Sequence, residues 1–221
     1  PLKGIVHAAV VIEDGLSTHM DQEQIYRVLA PKILGAQHLH QLTLDLDLEF
    51  FVLYSSATTL FGNPGQAGYV GANCWLESLA RYRRDMGLPA TCISWGAIDD
   101  VGFLARHQDI KDALQNRMGG NAIPSDAALD TLDRLLAADR TGVGLMELDW
   151  QALSRFLPSS STPKFTEIAR ENSGKGLEDS RTRDIRLRIN ELPEDDFIDL
   201  LIEMLQAELG EILQIQPQKI D

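Results

Sequence analysis

The stretch Leu48-Glu49-Phe50-Phe51-Val52-Leu53-Tyr54-Ser55-Ser56-Ala57 is followed, after four residues, by Gly62-Asn63-Pro64-Gly65-Gln66-Ala67-Gly68-Tyr69-Val70-Gly71-Ala72-Asn73-Cys74-Trp75-Leu76. A short, continuous apolar run rich in aromatic and branched side chains predicts a strand buried on both faces, over residues 48–54. Gly62, Asn63, Pro64 and Gly65 then break the chain, and a helix is predicted over residues 66–86, stopped by Gly87-Leu88-Pro89. Strand, turn and helix in that order make the repeating unit of a parallel α/β layer.

The unit recurs on both sides. Upstream, residues 2–11 are nearly all apolar and predict another strand buried on both faces. Ile25, Val28, Leu29, Ile33, Ala36 and Leu39 carry a helical period across residues 21–44, with Pro31 expected to kink that helix near its middle. Downstream, residues 90–95 read as a third strand closed by Gly96, and residues 99–120 as a weak helical loop. Ser125 reads as the cap of a helix striped by Ala128, Leu129, Leu132, Leu135 and Leu136, and residues 142–148 as a fourth strand. The expected fold class is α/β: a doubly wound, Rossmann-like parallel sheet, incomplete at about four strands, with helices on both faces. Such sheets bind ligands beyond the carboxyl ends of their strands. Ser55-Ser56 and Trp95-Gly96 fall there, and Tyr69 lies one turn into the helix after the second strand.

Charge and composition exclude several classes. Of 221 residues, 20 are Lys or Arg and 33 Asp or Glu, a net charge of −13, which argues against nucleic-acid or anionic-membrane binding through clustered cations. No apolar run approaches the roughly 18 residues of a membrane span. The opening Pro1-Leu2-Lys3-Gly4-Ile5 runs straight into the first strand with no signal peptide, so a cytoplasmic chain that begins in mid-protein is expected. Cys74 and Cys92 lack Cys-x-x-Cys spacing and the five histidines form no zinc set. No metal site is expected, and both cysteines read as reduced core residues. Residues 158–191, with Ser159-Ser160-Ser161-Thr162, Asn172-Ser173-Gly174-Lys175-Gly176 and mixed charges, read as a linker. Pro193-Glu194-Asp195-Asp196 then opens a last helix, acidic at its start as the helix dipole prefers, with Phe197, Ile198, Leu201, Met204 and Leu205 on one side.

The chemistry gathers around Ser56, Tyr69, Asn73 and Lys32. Tyr69 and Asn73, at i and i+4, share one helix face. Singly these are common surface or packing residues; as a set they are the parts of a carbonyl-reducing site. A phenol near a lysine ammonium handles a proton, and a serine hydroxyl orients a carbonyl oxygen. Hydride must come from a nicotinamide cofactor, since no side chain supplies one.

These motifs resemble the ketoreductase domain of modular polyketide synthases, a branch of the short-chain dehydrogenase/reductases. Tyr69-x-x-x-Asn73 stands where stand-alone members have Tyr-x-x-x-Lys, and the lysine sits in Ala30-Pro31-Lys32-Ile33-Leu34-Gly35-Ala36. His7-Ala8-Ala9, Ile93-Ser94-Trp95-Gly96-Ala97 and Leu148-Asp149-Trp150 continue the likeness over residues 1–157. The resemblance implies that Tyr69, Ser56, Lys32 and Asn73 are catalytic and that His7, Ala8, Ala9, Trp95 and Gly96 line the cofactor. It implies NADPH as reductant and a β-ketoacyl thioester on an acyl carrier protein as substrate. Asp14 of Ile12-Glu13-Asp14 matches the last aspartate of a Leu-Asp-Asp motif that marks the D (3R) hydroxyl. Phe61 takes the place of the tryptophan that marks the opposite type, and Gln66 joins Asp14 and Phe61 as a residue facing the substrate. Two departures are Val10, where the family has glycine, and Gly68, where asparagine is frequent.

Residues 192–213 resemble the first helix of an acyl carrier protein, with residues 215–221 entering the loop that follows and the chain stopping before the Asp-Ser-Leu motif, so phosphopantetheine is expected only on a downstream or partner carrier domain. The family's Gly-x-Gly-x-x-Gly cofactor turn does not occur in these 221 residues. The chain alone is therefore expected to be a poor catalyst, to need the missing N-terminal half of the reductase as a partner, and to leave the edge of its first strand unpaired. The family is compatible with a homodimer. A second reading makes the segment a non-catalytic scaffold joining a reductase to a carrier protein. A stand-alone dehydrogenase is a third, opposed by Asn73 in the lysine position.

Overall fold

A computed structural model of the chain describes residues 1–102, 104–107, 111–112, 120–157 and 162–173, with isolated positions between 198 and 210. Among these, four strands form one parallel sheet: β1 (Gly4–His7), β2 (Phe50–Ser56), β3 (Thr91–Trp95) and β4 (Val143–Leu145), in the order β1-β2-β3-β4. The helices are α1 (Gln22–Leu42), α2 (Thr58–Phe61), α3 (Ala67–Asp85), α4 (Ser125–Ala137), α5 (Trp150–Phe156) and α6 (Thr166–Ser173). The chain divides into two compact units, Pro1–Thr162 and Pro163–Asp221.

The alternation of side chains along β2 builds the first unit. Phe51 and Leu53 pack with Ala36 of α1, with Leu76, Leu79 and Ala80 of α3, and with Cys92 of β3. Val52, one step out of phase, packs with Ile93, Trp95 and the α4 residues Ala128 and Leu132. The sheet thus carries helices on both faces, as a run apolar at every position requires. Each large side chain so buried contributes about 2 kcal/mol against water. Fully buried Arg83 joins the ends of α1 and α3: its guanidinium lies 3.9 Å from the centre of the Phe51 ring and donates to His40 Nδ1 at 3.0 Å.

Several expectations are corrected. The run 2–11 gives only four strand residues, and it is not buried on both faces: Val6 is 54% exposed, and Val10 and Val11 are exposed too. Among the described strands β1 has a neighbour on one side only, and it is as short as its pairing with β2. Helix α1 runs through Pro31 as one 21-residue element. Val28, Lys32, Ala36 and His40, four residues apart, are buried on both sides of the proline, and that tertiary packing outweighs the lost hydrogen bond. Ser125 does not cap α4; Pro124 precedes the helix, and Asp100 instead accepts from the Ser125 N–H at 2.8 Å and its hydroxyl at 2.7 Å. Cys92 is core, but Cys74 is exposed on α3. The strand expected over 142–148 is three residues long.

Within the loop expected over 99–120, Leu104–Arg106 form a 3₁₀ turn, and residues 103, 108–110 and 113–119 lie outside the described residues. The linker reading of 158–191 meets a helix, α6, whose Glu167 in the first turn and Arg170 in the last complement the helix dipole; residues 158–161 and 174–191 lie outside the described ones. Of the helix expected over 192–213, Ile198, Leu201, Ile202, Met204, Leu205, Gln206, Leu209 and Gly210 are helical, and the rest lies outside the described residues. No helix among the described residues is long and apolar enough to cross a membrane, and no group of His, Cys, Asp and Glu among them is placed to hold a metal.

Candidate active site

Strand β2 delivers Ser55 and Ser56 to the carboxyl end of the sheet, where the Ala57 N–H donates to the Trp95 carbonyl at 2.8 Å and locks the exits of β2 and β3 together. Helix α2 starts at once, and the Ser56 hydroxyl oxygen accepts from the N–H of Thr58 at 3.3 Å and from its hydroxyl at 3.0 Å. The Tyr69 phenol lies close enough to the Ser56 and Asn73 side chains for both to draw its pKa down. Lys32 enters from α1, only 3% exposed, with Nζ donating to the Tyr54 carbonyl at 2.8 Å and lying 5.7 Å from the centre of the Tyr69 ring. Residues from β2, α1 and α3 therefore converge as their spacing predicts.

Their electrostatics differ from a simple phenol–ammonium pair. Burial pushes the Lys32 ammonium down to about 8. Burial also pushes the Tyr69 phenol above its ordinary value, with the Asp14 charge adding to the rise, while the hydrogen bonds from Ser56 and Asn73 draw it partly back. At neutral pH Tyr69 is a protonated phenol, which suits a proton donor. Asn73 is fully buried; its Nδ2 donates to the Tyr69 carbonyl at 2.8 Å, and its Oδ1 has no hydrogen-bond partner among the described residues.

A strap formed by Glu13-Asp14-Gly15 is fastened on two sides. Arg27 of α1 grips Glu13 in a bidentate pair at 2.9 Å, which holds the Glu13 carboxyl below its usual range. Gln66 Nε2 donates to both Asp14 oxygens at 3.0 Å while its own Oε1 accepts from Asn63, and the Gly15 N–H donates to the Gly65 carbonyl. Asp14 and Gln66 are thus brought together beside Tyr69, and Phe61 is buried at the end of α2.

The residues assigned to the cofactor divide. Ala8 and Ala9 are exposed just past β1. His7 is buried, its Nε2–H donating to the Lys32 carbonyl at 3.3 Å, with burial lowering its pKa. A Cβ on Gly35 would stand 3.0 Å from the His7 ring, so this glycine lets α1 close on it. Trp95 sits in the core beneath α4, 5.2 Å from the Tyr54 ring, with its indole N–H unpartnered among the described residues. A Cβ on Gly96 would meet Met146 at 2.8 Å, so glycine here serves the approach of the chain leaving β4. Sequence reasoning missed Glu77, whose Oε1 accepts from the hydroxyls of Ser55 at 2.8 Å and Ser94 at 2.9 Å. Its only sequence signal is its place four residues after Asn73.

Residues 1–100 match the KR domain family. A phenolphthiocerol/phthiocerol polyketide synthase protein of Mycobacterium tuberculosis (strain CDC 1551 / Oshkosh) is 40% identical over 178 residues, 79% of this chain and 9% of that protein. Phthioceranic/hydroxyphthioceranic acid synthase of Mycobacterium bovis (strain BCG / Pasteur 1173P2) is 33% identical over 219 residues, 97% of this chain and 10% of that protein. The chain thus spans about a tenth of the length of these relatives. Among solved structures, an A-type ketoreductase from a modular polyketide synthase superposes with a TM-score of 0.68 at 34% identity, covering 76% of this chain and 36% of that one. The angucycline C-6 ketoreductase LanV with bound NADP shares the fold at a TM-score of 0.55 and 21% identity, covering 65% of this chain and 60% of that one.

Proposed function

We propose, from the likeness to polyketide-synthase ketoreductases, that residues 1–157 form the catalytic part of a reductase converting a β-ketoacyl thioester on an acyl carrier protein into the β-hydroxyacyl thioester with NADPH. The observation that carries this reading is the convergence of Lys32, Ser56, Tyr69 and Asn73 at the carboxyl end of β2, with burial keeping the phenol protonated beside Ser56. Ala8 and Ala9 support cofactor binding, presenting small, exposed side chains at the end of β1, and the buried, unpartnered Asn73 Oδ1 is an acceptor for Lys32 or a water. When bound, NADPH supplies the hydride to the ketone carbon. Ser56 holds the ketone oxygen, Tyr69 passes its proton to that oxygen as the C–H bond forms, and Lys32, steadied by Asn73 or by a water that Asn73 holds, returns a proton to the phenolate.

NADPH rather than NADH is carried over from the resemblance to synthase ketoreductases. Residues 1–157 contain no Gly-x-Gly-x-x-Gly turn, which supports a pyrophosphate grip supplied from elsewhere in the synthase. The strap that ties Asp14 to Gln66 beside Tyr69 supports a 3R product. The 219-residue alignment runs well past residue 157, which supports reading 158–191 as a connector to a carrier protein beginning near 192, in a cytoplasmic synthase.

The test uses a chain extended upstream by the cofactor-binding residues, given NADPH and a β-ketoacyl thioester. Reduction to the 3R alcohol is expected, with Tyr69→Phe lowering kcat by about 10²–10⁴-fold. A scaffold role predicts no reduction by either protein, and a 3S product overturns the assignment of configuration.

A further inference from the structure

Glu77 lies four residues after Asn73 and eight after Tyr69, so the three line one face of α3. Its side chain is 15% exposed. Oε1 alone accepts the hydroxyls of Ser55 on β2 and Ser94 on β3, which stand opposite each other in register, one residue before Ser56 and Trp95 end their strands. Arg81 reaches Oε2 at 3.8 Å from the same helix. A carboxylate is a costly group to seat between a helix and a sheet, and apolar contacts alone would fill this space. Those contacts, from Leu76, Leu79 and Ala80, are not directional; they let a helix slide or rotate by fractions of an ångström. Two hydrogen bonds from neighbouring strands to one oxygen do not.

We propose that Glu77 is a positioning residue for the reductase site. It fixes the height and rotation of α3 against the ends of β2 and β3, so that the Tyr69 ring stays beside Ser56 and within reach of Lys32. The proposal deepens the reductase reading and rests on it.

In the upstream-extended chain, Glu77→Leu should lower kcat by about 10–100-fold with KM for NADPH and thioester changed by less than about 2-fold, as a displaced proton donor requires. Glu77→Gln keeps an acceptor oxygen and should recover most of kcat. Unchanged kcat in Glu77→Leu, or a fall that only tracks the fraction of folded protein, overturns the proposal. If Glu77→Leu does not fold, Ser55→Ala/Ser94→Ala removes the donors and should lower kcat likewise; full activity there overturns it. A wild-type chain that reduces nothing sinks the reductase reading instead. The positioning role is then read from the ultraviolet titration of Tyr69, taken as the difference from Tyr69→Phe. A midpoint shifted by about half a pH unit in Glu77→Leu supports it, and an unmoved midpoint overturns it.

Discussion

Lys32 holds its charge in the core with a backbone carbonyl as its hydrogen-bond acceptor, and burial brings its pKa to about 8 from 10.5. Between those values the unfolded chain binds a proton that the folded chain does not, so stability rises with pH through this window. Cys92, pushed by burial to about 12 from 9, acts the other way above pH 9, where the unfolded thiol ionises first. The window from about 8 to 9 therefore isolates Lys32. Denaturant titrations there should show stability rising by up to about 1.4 kcal/mol per pH unit, and Lys32→Met should abolish the rise. A flat wild-type curve would contradict a lysine buried in this way. The four site residues could be named from the sequence because their types are uncommon at that spacing and matched a family. Glu77 could not: a helix glutamate reads as a solvated face until its serine partners, 22 and 17 residues away, are placed beside it. Gly35 was likewise silent until His7 was seen against it.

Long helices with a strong apolar period were readable from the sequence almost to their ends, as α1 and α3 show. Short elements were not. Helix α2 has four residues, too few for a period, and β1 is cut to the four positions that pair with Phe50 to Leu53, since a strand's length is set by its partner. The strap at residues 13–15 has no regular structure, so only its fastenings define it. Arg27→Ala removes one of them. The pair is exposed, so the melting temperature should move by no more than about 2 °C. Amide exchange at residues 13–15 should quicken, and under the proposed reductase function the upstream-extended chain should lose enantiomeric purity in its product. Unchanged exchange would show that Gln66 and Gly65 suffice to hold the strap.

The described sheet ends at β1 on one side, and that strand carries exposed Val6 on a face that no described element covers. Open strand edges beside apolar side chains recruit other chains. The 221-residue chain should self-associate in a concentration-dependent way by light scattering. Val6→Lys should suppress this with little change in melting temperature; association that persists unaltered would place the contact elsewhere. The 33 acidic against 20 basic residues leave a net charge of −13, which opposes that association at low ionic strength. The order of the sheet, β1-β2-β3-β4, is also the order of the chain. Each strand therefore pairs with the one synthesised just before it, and the helix that bridges them is complete when the second strand arrives. Among the described strands none has to wait for a later, distant segment, so these four can be laid down in step with translation, each ribosome-fresh strand docking on a template already in place.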